Sequence, residues 1–521
     1  MERRLSEFFT ADTERQAGFI ERRGSADPLI TGLEYDSRRI KKGNLYFALD
    51  GLHTDGHAFI DDAIARGALA VVHRAERPRY DSGAVFIRVK DSRFAMSPVA
   101  DAFYGSPSRR LLVAGVTGTE GKSTTVYLIY QLLTLAGKKA GFVSTVQYDT
   151  GGGETANPEH QTTPEATAVH GHLDAMLRNG LEYAVLEASS HGLSPKTNRL
   201  GDAAFDAAVM TNVTHEHLEF HGTWEQYRDD KANLFRALDI WKGSKRGLFS
   251  GTAPFGVINA DDKSASFFAG ATKQKTFSYS KNGGAADLSV LGLESGSEGN
   301  SYRVRVQASG ETIALNDRLP GAFNCANVLA GLLVVSGLLD LPVRDFVPLV
   351  PLLKPVRGRM TKVSRGQDFT VLVDYAHTPS SFETIFPPLS EEYRTKGKRI
   401  ISVFGSAGER DTGKRGVQGR IAAAYSDVVI LTDEDPRGEV PMDILNEIAS
   451  GCEGKKRNED LFLIPCRGEA IRKAFSLAGP GDLALLLGKG HENSIIYAGD
   501  VMPYDEITEA EKALSEMGYG T

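Results

Sequence analysis

Residues 112–125 read Leu-Val-Ala-Gly-Val-Thr-Gly-Thr-Glu-Gly-Lys-Ser-Thr-Thr, which sets a lysine and three hydroxyl side chains directly after a glycine turn. The apolar run at 112–116 predicts a strand and residues 126–133 predict a helix, so Gly118, Thr119, Glu120, Gly121, Lys122, Ser123 and Thr124 join strand to helix. Such a loop suits a nucleoside triphosphate. Its glycines let backbone N–H groups turn toward phosphate oxygens, and the helix N-terminus adds partial positive charge. Lys122 is placed to reach the β- and γ-phosphates, and the Ser123 hydroxyl to sit on Mg²⁺. Two residues separate Gly118 from Gly121, where the common phosphate loop has about four. The loop is therefore a Gly-x-x-Gly-Lys-Ser variant.

Glu187 ends the apolar run 183–187 and opens Ala-Ser-Ser-His-Gly. A carboxylate at the C-terminal end of a strand, in the same sheet as a phosphate loop, is well placed to hold Mg²⁺; an exposed strand-end acid is the plainer alternative. Residues 211–222 carry His215, His217 and His221 in a polar stretch. Their spacing fits no closed zinc site, and His215 and His221 read as surface or capping histidines. Lys231, in Tyr-Arg-Asp-Asp-Lys-Ala-Asn-Leu-Phe, reads as a solvated helix lysine.

These groups need rigid elements behind them. A chain of 521 residues exceeds one hydrophobic core and implies about three domains. Residues 1–108 read as a small α/β module, with a strand at 44–49, a helix at 59–68 and a strand at 70–72. A linker at 105–110 leads into a second segment, 109–354, where apolar strands at 183–187, 207–211 and 257–261 alternate with helical patterns. That alternation predicts a doubly wound, mostly parallel sheet. Residues 281–317 are turn-rich and suggest a β insertion. A third α/β segment, 355–521, has strands at 370–374, 399–404, 428–432 and 482–487. Ligands of open parallel sheets bind beyond the carboxyl ends of the strands, so the chemistry is expected where the second and third segments face each other.

The net charge of −7 gives no basic footprint for nucleic acid. No apolar run is long enough to cross a bilayer, and the N-terminus carries no apolar signal core. A cytoplasmic enzyme with neither nucleic-acid nor membrane partners is expected. Cys325, Cys452 and Cys466 are scattered, without metal-ligand spacing, and read as reduced, buried packing residues.

Over nearly its whole length the chain resembles the Mur ligase family. The matching pieces, in order, are Asp36-Ser37-Arg38, the phosphate loop, Thr162-Thr163-Pro164, Glu187-Ala188-Ser189-Ser190-His191, Thr211-Asn212 with His217 and His221, Lys231, Asn259-Ala260-Asp261-Asp262, Gly321-Ala322-Phe323-Asn324 with Asn327, Gly358-Arg359, Asp374-Tyr375-Ala376-His377, Phe404-Gly405 with Arg410-Asp411, Asp435-Pro436-Arg437 and Gly488-Lys489-Gly490-His491-Glu492. The Asp-Tyr-Ala-His, Asp-Pro-Arg and Gly-Lys-Gly-His-Glu pieces resemble the branch that adds a diamino acid to UDP-N-acetylmuramoyl-L-alanyl-D-glutamate.

The resemblance implies three α/β domains, with a central P-loop-like ATP-binding sheet and a Rossmann-like C-terminal domain. It implies ATP and Mg²⁺ as cofactors and a monomeric ligase that makes an acyl phosphate, which the incoming amine attacks. It makes Ser123, Glu187, His217 and a carbamylated Lys231 the metal ligands, and Lys122, Glu187, His217 and Lys231 the catalytic set. Asn324, Asn327, Arg359 and Asp374 then join the loop around ATP. Ser37, Thr162, Thr163, Ser189 and Arg199 hold the UDP substrate, and Arg410, Glu434, Asp435, Pro436, Arg437, Gly488 and Glu492 hold the diamino acid. Three departures stand out. Asp435 takes the place of the branch's asparagine, the segment from Ser189 to Arg199 is longer by about two residues, and Glu216 replaces an aspartate. Arg437 and Glu492 favour meso-diaminopimelate, provided that Asp435 turns away or pairs with Arg410. Asp435 by itself favours the ammonium of lysine or ornithine. A folylpolyglutamate-type ligase or a switching NTPase are the alternatives; a ligase releases phosphate only when an acceptor is present.

Overall fold

The computed structural model describes residues 1–51, 54–77, 79–80, 83–157, 161–214, 218–249 and 251–520, without the side chains of 218, 219 and 248. It divides into two compact units. One comprises Met1–Leu291, Arg303–Ile313 and Ala326–Val350; the other comprises Gly292–Tyr302, Ala314–Cys325 and Pro351–Thr521.

The first unit opens with a five-stranded sheet in the order Phe19–Arg23, Val85–Val89, Ala70–His73, Asn44–Phe47, Gly32–Glu34, parallel except for the first pair. Leu45, Phe47, Val72, Ile87, Val99 and Phe103 pack on one of its faces. In the large sheet that follows, the strand Leu112–Thr117 lies parallel between Tyr183–Glu187 and Ala207–Met210, flanked further out by Ala140–Val143 and Phe255–Asn259. The three inner strands are buried at every residue, which is why they read as continuous apolar runs rather than alternating ones. In register, Glu187 pairs with Val116 and Met210 with Thr117. The phosphate loop, Glu187 and Thr211 therefore leave the sheet at the same edge. Residues 288–317 form three successive strands, as the β-insertion reading expects.

The predicted linker is built in. Pro107–Arg110 is a 3-10 turn, and the buried Lys245 ammonium donates to the carbonyls of Ser108 (2.7 Å), Leu111 (2.7 Å) and Ala204 (2.8 Å). It also pairs with Asp206 Oδ2 at 2.6 Å. Burial raises the Asp206 carboxyl and lowers the Lys245 ammonium, each opposed by the charge of the other.

The second unit carries a six-stranded sheet in the order Thr361–Val363, Thr370–Asp374, Leu483–Leu487, Ile400–Phe404, Val428–Leu431, Leu461–Leu463, parallel except for its first pair. Separate apolar clusters cover the two faces, around Phe382, Phe386 and Ile448 on one and Ile471, Phe475 and Leu514 on the other. Cys325 and Cys452 are buried as expected. Cys466 is exposed, because it caps the helix Arg467–Leu477 from outside its first turn. Among the described residues no helix is long and apolar enough to cross a membrane.

Arg467, the first residue of that helix, is fully buried. Its Nε and Nη2 each donate at 2.7 Å to the Glu506 carboxylate, Nη1 donates to the Asp433 carbonyl at 3.0 Å, and Nη2 also to the Leu487 carbonyl at 2.7 Å. One guanidinium thus ties the ends of two strands to the C-terminal helix Glu506–Glu516. Arg467→Met strands a buried carboxylate and should cost about 3–5 kcal/mol of stability. Arg467→Met/Glu506→Leu should recover part of that loss, because no charge is left unpaired. Thermal unfolding of the two variants checks both expectations.

Candidate active site

The phosphate loop is held open by its neighbours. Gly118 and Gly121 adopt φ +153° and +79°. A Cβ on Gly118 would lie 1.8 Å from Thr211 Oγ1, and one on Gly121 would lie 2.7 Å from Asn327 Oδ1. Both glycines therefore permit a close approach as well as a turn. Asn212 Oδ1 accepts from the Glu120 N–H (2.9 Å), and Thr211 Oγ1 donates to the Glu120 carbonyl (2.6 Å). The Lys122 ammonium folds back on the Thr119 carbonyl at 2.7 Å. Thr119 Oγ1 accepts from the Thr214 N–H at 2.9 Å and lies 3.1 Å from the Tyr227 hydroxyl. Thr125 Oγ1 donates to Asn327 Oδ1 at 3.2 Å.

Glu187 is buried, not the exposed acid of the plainer reading. Its Oε2 accepts from Ser123 Oγ and from the Thr145 N–H, both at 2.8 Å. Two hard oxygen donors, one on the loop helix and one on the neighbouring strand, thus meet beside Lys122, a donor set that suits Mg²⁺. The Glu187 carbonyl accepts from Thr163 Oγ1, which accepts in turn from the Ser189 N–H, each at 2.9 Å. Arg199 donates to the Thr163 carbonyl (2.8 Å) and to Glu165 Oε1 (2.9 Å). Arg199 therefore reaches Thr163 despite the longer segment between Ser189 and itself. Thr162 is half-buried beside Thr163, and Ser37 is half-buried in the 3-10 turn Ser37–Arg39 of the N-terminal module.

Lys231 corrects the sequence reading. It is 1% exposed. The helix Trp224–Ile240 turns it inward, so that Nζ donates to the Gly118 carbonyl at 2.6 Å and lies 4.3 Å from the Tyr227 ring centre. A lysine is buried only when its charge has partners, and one of them here is the Gly118 carbonyl of the phosphate loop. His221 is also buried rather than on the surface. Its Nδ1 lies 2.7 Å from Asp230 Oδ2 and its Nε2 3.0 Å from Ser190 Oγ. His215, Glu216 and His217 lie outside the described residues.

A second constellation stands at the carboxyl edge of the C-terminal sheet. Asp374 is buried and accepts from the N–H groups of Met360 (2.7 Å) and Ala376 (2.8 Å), and burial raises its carboxyl above the usual range. The Arg359 guanidinium lies 4.6 Å from the Tyr375 ring centre. Gly358 and Gly490 touch so closely that a Cβ on Gly358 would meet the Gly490 carbonyl carbon at 2.3 Å. Burial, then Arg359, His377 and Lys489, press the His491 pKa well below the ordinary histidine value. Asn324 is buried, its amide donating to the Pro320 carbonyl at 2.7 Å.

The acids at 433–435 are all buried. The Tyr497 hydroxyl donates to Asp433 Oδ2 at 3.1 Å, and burial pushes the Asp433 carboxyl up to about 6. Asp435 pairs with Lys489 at 2.9 Å, not with Arg410, one of the two arrangements that diaminopimelate was expected to require; Arg410 is exposed. The Pro436 carbonyl packs against Gly408, and the Gly408 N–H donates to the Asp435 carbonyl at 2.8 Å, which joins the two loops. Arg437 has φ +54° and donates its N–H to the Ile496 carbonyl at 2.9 Å. A non-glycine residue in this region is strained, a feature that clusters at functional sites. Glu492 accepts from Lys489 (2.6 Å) and from the Tyr375 hydroxyl (3.2 Å).

Sequence reasoning missed Glu165, Arg467 and the part played by Lys489. Glu165 Oε1 accepts from both Arg93 and Arg199 at 2.9 Å. Its place directly after Thr-Thr-Pro was the one available signal. Arg467 and Lys489 look like solvated charges, and only their distant partners reveal them.

Known proteins agree with this geometry. Residues 29–104 match the model "Mur ligase family, catalytic domain", 116–335 the "Mur ligase middle domain", and 358–490 "Mur ligase, glutamate ligase domain". UDP-N-acetylmuramyl-tripeptide synthetase of Treponema denticola is 50% identical over 512 residues, covering 94% of this chain and 95% of its own length. UDP-N-acetylmuramoyl-L-alanyl-D-glutamate–2,6-diaminopimelate ligase of Geobacillus kaustophilus is 36% identical, over 94% and 96%. A solved structure of a ligase of that latter name superposes with a TM-score of 0.61 at 27% identity, covering 94% of this chain and 96% of its own. The phosphate loop, the strand-end glutamate and the three sheets therefore sit in a chain that belongs to the Mur ligase family.

Proposed function

We propose that this chain joins a diamino acid to UDP-N-acetylmuramoyl-L-alanyl-D-glutamate at the expense of ATP, a step of peptidoglycan synthesis. The observation that carries the reading is the meeting of Ser123 Oγ with Glu187 Oε2 at 2.8 Å beside Lys122, in a chain whose relatives bear that name. Residues 1–108, 109–354 and 355–521 are taken as the UDP-substrate, ATP and amino-acid domains of a cytoplasmic monomer.

Substrate carboxylate and γ-phosphate are both anions, so the barrier to an acyl phosphate is largely electrostatic. Ser123 and Glu187, with His217 as the third ligand, would hold Mg²⁺, which would add positive charge where the anions meet. Lys122 exchanges its Thr119 carbonyl for the phosphates and adds a second cation. Gly118 to Thr124 present backbone N–H groups to the phosphates, with Asn324, Asn327, Arg359 and Asp374 on the rest of the nucleotide. Ser37, Thr162, Thr163, Ser189 and Arg199 orient the UDP substrate. Glu165 keeps Arg199 aimed by sharing its carboxylate with Arg93.

The Lys231 ammonium loses one proton, and the free amine then adds to CO₂, forming an N–C bond as one C–O π bond opens to the carboxylate and a second proton leaves. The side chain changes from cation to anion. An ammonium at this place would repel a metal, whereas a carbamate can bind one.

Lys122→Ala should lower kcat for tripeptide formation by about two to three orders of magnitude, the loss of one well-placed charge of ~3–4 kcal/mol. Chromatographic measurement of UDP-tripeptide checks this, and near-normal turnover would remove the phosphate-loop assignment. Lys231→Ala should fold normally, lose most activity and regain part of it with formate or acetate in the buffer. Full activity of that variant without added carboxylate contradicts the carbamate role.

A further inference from the structure

The acids of the C-terminal site share their positive charge unequally. Lys489 is the lysine between Asp435 and Glu492, and it serves both, at 2.9 and 2.6 Å. Asp435 Oδ1 also takes the Ile496 N–H at 2.9 Å, and Glu492 Oε1 the Tyr375 hydroxyl at 3.2 Å. Arg359 stacks on the Tyr375 ring and, among the described residues, forms no ion pair with these acids.

Glu434 is different. The residue is 6% exposed, and its Oε2 is buried with no hydrogen-bond partner. That oxygen points at the Gly488 turn, where a Cβ would come within 2.9 Å of it. Gly488 has φ +102° and no side chain to fill the gap. A carboxylate oxygen that is out of water and lacks a donor is costly, and a ligand that brings N–H donors and positive charge relieves the cost. A ligand that brings a second carboxylate instead meets a lysine already shared by two acids. The nearby Arg467 guanidinium is already occupied by Glu506, whereas Arg437, three residues along the same loop, has a buried Nε without a partner. It matches one carboxylate.

Resting on the ligase reading above, we propose that Glu434 binds the side-chain ammonium of the incoming diamino acid, while Arg437 takes its single α-carboxylate. The amino acid is then of the lysine or ornithine class and not diaminopimelate, which the sequence had favoured. Discrimination moves from Asp435, whose charge Lys489 already occupies, to Glu434.

The test uses the full-length enzyme with ATP, the UDP-dipeptide and, in turn, L-lysine, L-ornithine and meso-diaminopimelate, with UDP-tripeptide measured by mass spectrometry. Wild type should favour lysine or ornithine over diaminopimelate by about tenfold or more in kcat/KM. Glu434→Gln, which keeps the shape and removes the charge, should abolish that preference mainly through KM, while Glu434→Asp should retain it. A merely structural role for Glu434 would change all three amino acids equally. A wild-type preference for diaminopimelate, or an equal effect of Glu434→Gln on all three, overturns the proposal and leaves the ligase reading standing. Absence of tripeptide with every amino acid overturns both.

Discussion

A charged group taken out of water must be paired, and much of this structure follows from how that requirement is met. Arg467 is the clearest case. Its guanidinium is buried against Glu506 and also donates to the carbonyls of Asp433 and Leu487, the last residues before the two loops that carry 434–437 and 488–492. The fork geometry of arginine fixes several directions at once. The loops at the carboxyl edge of the C-terminal sheet are therefore held by a rigid charge from beneath rather than by their own flexible turns. A lysine here could reach one or two of these acceptors but could not hold them in one plane.

The first unit applies the same principle with different residues. Lys245 and Asp206 anchor the connection between the N-terminal module and the large sheet, and four oxygens satisfy the ammonium. Glu187 and Ser123 then face each other across the strand ends, and Lys231 is drawn inward to the Gly118 carbonyl. Charges of both signs are concentrated around a loop that must receive a polyanion. Such an arrangement is expected of a site preorganised for charge that develops during reaction.

Much of the architecture was legible in the residues. The strands Tyr183–Glu187 and Thr370–Asp374 occur as read, because parallel strands covered on both faces are unbroken apolar runs with polar ends. The phosphate loop was legible for a local reason as well: its glycines, lysine and serine must follow a strand and open a helix. The helix itself, Lys122–Leu135, extends beyond the predicted run at both ends. Tertiary packing adds turns that propensity leaves open.

The sequence by itself determined the element types, the parallel sheets and the identity of the phosphate loop, since these depend on patterns a few residues long. Only the tertiary structure decided which charges are buried and with what partners. Lys231 and Arg467 resemble any other helix cation until a partner some hundred positions away in the one case (113) or some forty in the other (39) is brought beside them. Asp435 and Glu434 are adjacent acids with no local difference, yet one is neutralised by Lys489 and the other turns a carboxylate oxygen, Oε2, toward a glycine turn without a hydrogen-bond donor. The physical reason is that the energy of a buried charge depends on what surrounds it in three dimensions, and that environment is assembled from residues distant in the chain.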